Sequence, residues 1–312
     1  MGRPRLATHS GVLVVDKAAG LTSFDVVARA RRALGERRIG HAGTLDPGAV
    51  GVLPLLVGEA TKMMAYLVAQ DKEYVAVVRL GVATDTQDLS GRIIATRAVP
   101  LLDRGQLERV LGKFVGRIRQ APPMYSAVHH EGRRLYELAR QGVEVVREAR
   151  EVVVHGIELI DVMGDRITLR VICGKGTYLR ALAADVGEDL GCGGALEQLA
   201  RVRVGSFTRA EALPSDDLTR LERSALLARL LPVDAPLSAW PAVGLGDRDA
   251  VAFAHGQPVP LPQGRAGQGS FVRVQDHQGR FLGVGVAVAG GTRVRPERVV
   301  HADRPGYRVP SA

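Results

Sequence analysis

Cysteine, lysine and aromatic residues are all scarce in this chain. Of its 312 residues two are cysteines, Cys173 and Cys192, set neither in a CxxC pair nor near an HxxxH, which argues against a structural zinc site and a disulfide framework. They read as reduced, partly buried thiols of a cytoplasmic protein. No segment approaches the ~20 apolar residues of a membrane span. The opening MGRPRLATHSGVLVVDK has too short an apolar run before Asp16 for a signal-peptide core. Neither GxxxxGK[ST] nor GxSxG occurs, so P-loop phosphoryl transfer and an esterase-type serine have no support. GVGVAVAGG near the C-terminus has the wrong glycine spacing for a dinucleotide fingerprint, and no helical pattern follows it. An enzyme with this sequence is expected to work with side chains alone, with neither cofactor nor metal.

What is present is a core and a basic balance. Hydrophobic residues make up 46% of the chain, enough for a globular fold. Lys+Arg total 42 against 33 Asp+Glu, and only five of the 42 are lysines, at positions 17, 62, 72, 113 and 175. Arginine suits bidentate phosphate contacts and stacking on bases, so a polyanion is one reading. Arginine-rich genomic coding is the other, and charge alone does not separate them.

Periodicity predicts a buried strand over residues 12–15, then a helix capped by Ser23 and running to Leu34. Val27, Ala30 and Leu34 share one face of it, with Arg29 and Arg32 opposite. From 29 to 38 the tally is five arginines and one glutamate. Residues 59–68 look helical, 72–99 read as two sequential antiparallel strands, and 103–114 as a helix. Residues 124–150 mix Tyr125, His129, His130, Arg133, Arg134 and Tyr136, which fits either a nucleic-acid-contacting insertion or a solvated helix with its loops. Strands over 151–162 and 166–173 precede a helix over 177–190 with Tyr178 and Arg180 at its start. Near Pro232 the texture turns Pro- and Gly-rich, and three short strands follow in a compact β module. The pattern is α+β, on a mixed, mainly antiparallel sheet flanked by helices.

One carboxylate stands out. In GHAGTLDPGAVGVLPLLVGEATK (residues 40–62), Asp46 is the lone acid before Glu59. Asp-Pro-Gly fits a β-turn, and a tight turn is also a good way to present a reactive carboxylate.

That block, with GVLVVDKAAGLTSFDVV (11–27) and CGKGTYLRALAADVG (173–187), resembles the bacterial tRNA pseudouridine synthases of the TruB type. DKEYVAVVRLGVATDTQDLSG and APPMYSAVHHEGRRLYELARQG extend the similarity over residues 11–204. Ala18 stands where the first block usually has proline, a change to turn rigidity that leaves the chemistry unaffected. The resemblance implies a cofactor-independent catalytic domain over 1–234, with an RNA-contacting insertion at about 124–150, and a PUA-like RNA-binding domain over 235–312. It implies that uridine 55 in the tRNA T-loop is isomerised. Asp46 matches the catalytic carboxylate, Tyr74 the tyrosine stacked on the target base and Arg180 the arginine paired with the aspartate. His41, Tyr178 and Leu199 match substrate-binding positions. Lys17, Arg29, Arg32, Arg37, Arg38, His129, Arg133 and Arg134 are further expected RNA contacts. The expected partner is the tRNA T-arm, bound by a monomer with no obligatory protein partner and no membrane.

Overall fold

The structure, a computed structural model, describes residues 9–101, 103–126, 128–130, 132–143, 145–261 and 266–301. The chain opens with strand β1 (Gly11–Lys17), helix α1 (Ser23–Leu34), and strands β2 (Ile39–His41) and β3 (Val50–Val57). A 3-10 turn (Gly58–Met63) leads into α2 (Met64–Ala69), β4 (Lys72–Leu80), β5 (Val82–Thr84), β6 (Ile93–Thr96), α3 (Arg104–Gly112) and β7 (Gly116–Gln120). Then come β8 (His129–His130), β9 (Arg133–Arg134), α4 (Leu135–Arg140), β10 (Arg150–Met163), β11 (Arg166–Cys173), α5 (Leu179–Asp189) and β12 (Gly194–Val204). After β13 (Phe207–Thr208), β14 (Leu213–Pro214), α6 (Asp217–Arg220) and α7 (Arg223–Ala228), the C-terminal part holds β15 (Ala242–Leu245), α8 (Asp247–Ala254), β16 (Val259–Pro260), β17 (Phe271–Asp276), β18 (Phe281–Val288) and β19 (Arg293–Val299).

Packing groups the chain into two units, one from Met1–Pro47, Val52–Val68 and Gly205–Ala312, the other from Gly48–Gly51 and Ala69–Val204. In the first, β1 pairs in parallel with β14 and β2 antiparallel with β3. Helix α1 starts at a capping box: the Thr22 hydroxyl accepts from the Asp25 N–H, and the Asp25 carboxylate accepts from the Thr22 N–H at 2.8 Å. The cap is thus Thr22 rather than the expected Ser23, whose hydroxyl is buried and engaged elsewhere. Gly35 ends the helix at φ 61°, a left-handed conformation that glycine adopts without a Cβ penalty. The apolar stripe Val26, Val27, Ala30 and Leu34 packs on Leu13 and Val15 of β1 and Leu53, Leu55 and Val57 of β3.

In the second unit the strand order is β12-β4-β11-β10-β7, antiparallel throughout. Alternation along β4 buries Lys72, Tyr74, Ala76, Val78 and Leu80 on one face. This corrects the expected sequential pairing across residues 72–99. The partners of β4 are the distant β11 and β12, while β5 and β6 form a separate two-stranded ladder. The reason is local: Gly81, at φ 82°, turns the chain off the sheet immediately after β4. The short insertion has its own nucleus of Met124, Leu135 and Leu138, with Tyr125 and Val128 against it.

The C-terminal module is a five-stranded sheet in the order β15-β17-β18-β19-β16, closed by Phe253 of α8 over Val243, Val272 and Val274. Sequence periodicity predicts only three strands here. The other two, four and two residues long, are too short to display a period of two. Trp240 stacks on Phe271 at 5.2 Å between ring centroids, and Tyr66 of α2 meets both edge-on. With parallel and antiparallel ladders, flanking helices and a β-rich C-terminal domain, the fold is the α+β class read from the sequence. Among the described residues no helix is long and apolar enough to cross a membrane.

Candidate active site

Asp46 lies on the loop joining β2 to β3, half-buried between Leu45 and Pro47, with Pro47 and Gly48 forming the turn. The peptides on either side of it are held from the β1–α1 connection. The buried Ser23 hydroxyl donates to the Leu45 carbonyl at 3.1 Å and accepts from the Leu45 N–H at 2.9 Å. The Gly20 N–H donates to the Pro47 carbonyl at 2.8 Å. Lys17, with no exposed surface, donates from Nζ to the carbonyls of Ala18 (3.0 Å), Leu21 (2.7 Å) and Pro47 (3.2 Å). A charged donor makes such bonds worth about 1.5–3 kcal/mol each, and fixed peptides leave the carboxylate little freedom to wander. The sequence groups Lys17 with the expected RNA contacts; the structure places it inside, as a strut for this loop. His41 sits half-buried on β2, opposite Leu55 of β3.

Gly51 is the other constraint on the motif. It has φ 109°, and a Cβ there would overlap the Arg201 carbonyl oxygen of β12, so the two backbones approach as only glycine permits.

Tyr74, Tyr178, Arg180 and Leu199 belong to the second unit. Tyr74 is buried on β4 between Val171 and Arg201, and Leu199 is half-buried on β12 opposite Ala76. Tyr178 is the N-cap of α5 and makes no side-chain cap hydrogen bond. Gln120, at the end of β7, anchors its backbone from both sides, accepting from the Tyr178 N–H at 2.8 Å and donating to its carbonyl at 3.1 Å. Arg180 is 5% exposed. It donates to the carbonyls of Thr86 (3.2 Å) and Tyr125 (2.8 Å), and its Nε lies 3.7 Å from the Asp88 carboxylate. Asp88 is itself gripped by the Thr86 hydroxyl and the Ser90 N–H, at 2.8 and 3.0 Å. Thus the guanidinium is oriented by a loop and by the insertion before it meets any ligand.

On the same strand as Tyr74, burial lowers the Lys72 pKa to about 8, with Arg201 adding to the effect. Burial also pushes the neighbouring Cys173 thiol up to about 11. Both cysteines are free and buried. Among the described residues no cluster of His, Cys, Asp and Glu is arranged to hold a metal ion.

The peripheral cations divide. Arg32, Arg37, His129 and Arg133 are exposed. Arg29 is paired with Asp216 at 3.2 Å, Arg38 with Glu59 at 2.9 Å, and Arg133 donates to Gln141 at 2.7 Å. The Arg134 side chain lies outside the described residues. The sequence reading missed Ser23, Asp88 and Gln120 as supports. The two aspartates of TDTQD were a visible signal; Gln120, at the end of an ordinary strand, carried none.

Family models for the TruB pseudouridylate synthase N-terminal domain (residues 31–179), the tRNA pseudouridylate synthase B C-terminal domain (180–238) and the pseudouridine synthase II TruB C-terminal region (241–300) match in tandem. The tRNA pseudouridine synthase B of Dechloromonas aromatica is 48% identical over 290 residues, covering 93% of this chain and 95% of that protein. Its counterpart in Burkholderia mallei is 45% identical, covering 96% and 97%. Among solved structures, a Cbf5-Nop10-Gar1 complex superposes with a TM-score of 0.71 at 25% identity, over 96% of this chain and 91% of that one. An H/ACA RNP bound to a substrate RNA containing 2′-deoxyuridine shares the fold, with a TM-score of 0.70 at 22% identity over 99% and 94%. With its bacterial relatives 45–48% identical over nearly their full length, the chain belongs to the TruB family of pseudouridylate synthases.

Proposed function

We propose that the protein converts uridine 55 in the T-loop of tRNA to pseudouridine, acting alone on the T-arm through its 1–234 catalytic domain, with residues 235–312 as a second RNA-binding domain. The observation that carries the reading is the double anchoring of Leu45 and Pro47 around Asp46 by Ser23 and Lys17. Such anchoring holds the residue between them in one geometry, which a reactive carboxylate requires. In this reading Asp46 is the catalytic carboxylate, with Tyr74 and Arg180 in the catalytic set and His41, Tyr178 and Leu199 binding the uridine.

The reaction breaks the N1–C1′ bond, turns the uracil and joins C5 to C1′, and the C5 proton leaves as N1 gains one. Nothing is added overall, so a carboxylate that opens a covalent route is sufficient chemistry. The uridine must first leave its stack, at a cost of a few kcal/mol. Stacking on an aromatic face such as Tyr74 and phosphate contacts from arginine offset that cost.

Tritium release from tRNA carrying [5-³H]uridine tests the reading. Wild type is expected to release tritium without metal or nucleotide, and Asp46→Asn to bind RNA without release; ordinary turnover by Asp46→Asn would remove it from the mechanism. A second reading, function inside a larger assembly, takes its support from the structural likeness to a Cbf5-Nop10-Gar1 complex. Turnover of a bare T-arm stem-loop separates the two.

A further inference from the structure

Phe24, in the first turn of α1, is 65% exposed. Single exposed apolar residues are ordinary, but this ring is organised. The Arg31 guanidinium carbon lies 6.0 Å from the ring centroid, within cation–π range. Arg31 is itself pinned, donating to the Ile39 carbonyl at 2.8 Å, and its Nε is buried without a hydrogen-bond partner among the described residues. By contrast the other exposed phenylalanine among the described residues, Phe271, is stacked on Trp240.

Its position is informative. Phe24 follows Ser23, the residue bonded to both polar atoms of the Leu45 backbone next to Asp46. Arg31, seven residues on and so on the same side of the helix, ties the ring to Ile39, the first residue of the strand that carries His41. Arg32 and Arg37 stand exposed nearby in the chain. An aromatic residue with a guanidinium over one face of its ring, still 65% exposed and set among arginines, has the two features that bind single-stranded nucleic acid, a stacking surface and a phosphate-attracting field.

We infer that Phe24 and Arg31 form a stacking platform for the base of an unpaired RNA nucleotide flanking the one that reacts, a reading that rests on the proposed action on a T-loop. Charge favours this occupant over a protein partner, because residues 29–38 carry five arginines and one glutamate. Stacking on one ring tolerates any base, so the platform adds affinity and holds the loop open without reading sequence.

The test uses T-arm stem-loops with 2-aminopurine placed singly at each unpaired purine, titrated with wild type, Phe24→Ala and Phe24→Tyr. Wild type is expected to quench one position. Phe24→Ala should abolish that quench and weaken binding about tenfold, leaving the salt dependence of affinity unchanged because no charge is lost. Phe24→Tyr should restore both. Wild-type affinity in Phe24→Ala, a reduced salt slope, or failure of Phe24→Tyr to restore binding would each overturn the platform. The exposed ring makes folding failure a minor concern, checked by circular dichroism. Tritium release by wild type keeps the two readings apart: release with an unaffected Phe24→Ala sinks the platform alone, whereas RNA binding without release sinks the proposed reaction.

Discussion

The Ser23 hydroxyl forms hydrogen bonds with both the N–H and the carbonyl of Leu45, twenty-two residues away in sequence. One side chain thereby fixes a whole peptide position beside Asp46. Removing the oxygen leaves two buried backbone groups unsatisfied, at about 1–3 kcal/mol each. Ser23→Ala should therefore lower turnover at saturating tRNA with little change in Kd, and lower the melting temperature by several degrees. A lowered melting temperature with unaltered single-turnover rate would limit Ser23 to stability.

Lys17 makes a contrasting prediction to that for a surface lysine. Lys17→Met should destabilise the protein by about 3 kcal/mol or more, since three carbonyls lose a charged donor. The slope of log affinity against log salt for tRNA should stay as in wild type, because no phosphate contact is removed. A slope smaller by about one would mean that Lys17 reaches RNA after all.

Gly51 cannot accept a side chain. With φ 109° and the Arg201 carbonyl oxygen occupying the space a Cβ would need, Gly51→Ala must separate β3 from β12 or distort both. Expected is a loss of several kcal/mol in urea unfolding together with lost turnover. A variant as stable as wild type would show that the contact relaxes easily.

Lys72 and Cys173 give a pH signature. Below pH 8 folded and unfolded chains both hold the lysine proton and its burial cost is fully present. Above about 8 the folded chain releases that proton, while the unfolded chain keeps it up to the ordinary 10.5. The unfolded state then binds more protons, so stability rises with pH. Cys173 acts oppositely: above its ordinary 9.0 the unfolded thiol ionises while the folded one holds on to about 11, so stability falls. The urea midpoint should rise from about pH 8 to about 9 and level off above it. Lys72→Met should remove the rise; persistence of the rise would assign it to another group.

Much of the fold was legible because its signals are short-range. The alternation along residues 72–80, the apolar stripe of α1 and the strand at 166–173 follow from burial of one face. Strand partnership was not legible: β4 bonds to segments about a hundred residues away, and periodicity carries no information about which edge a strand meets. The candidate residues divided the same way. Asp46, Tyr74 and Arg180, the proposed catalytic set, stood in recognisable blocks, whereas Gln120 and Asp88 became supports of α5 only once β7 and the TDTQD loop were brought to it.

The amino-acid order alone set the composition that makes a core, the arginine excess, the turn at Asp-Pro-Gly and the family membership carried by three blocks. Tertiary structure decided which polar groups are buried and what they hold. Lys17 reads as an RNA-contacting cation in the chain and becomes a loop strut, because a buried amine must find acceptors and the carbonyls of Ala18, Leu21 and Pro47 meet only when the chain is folded.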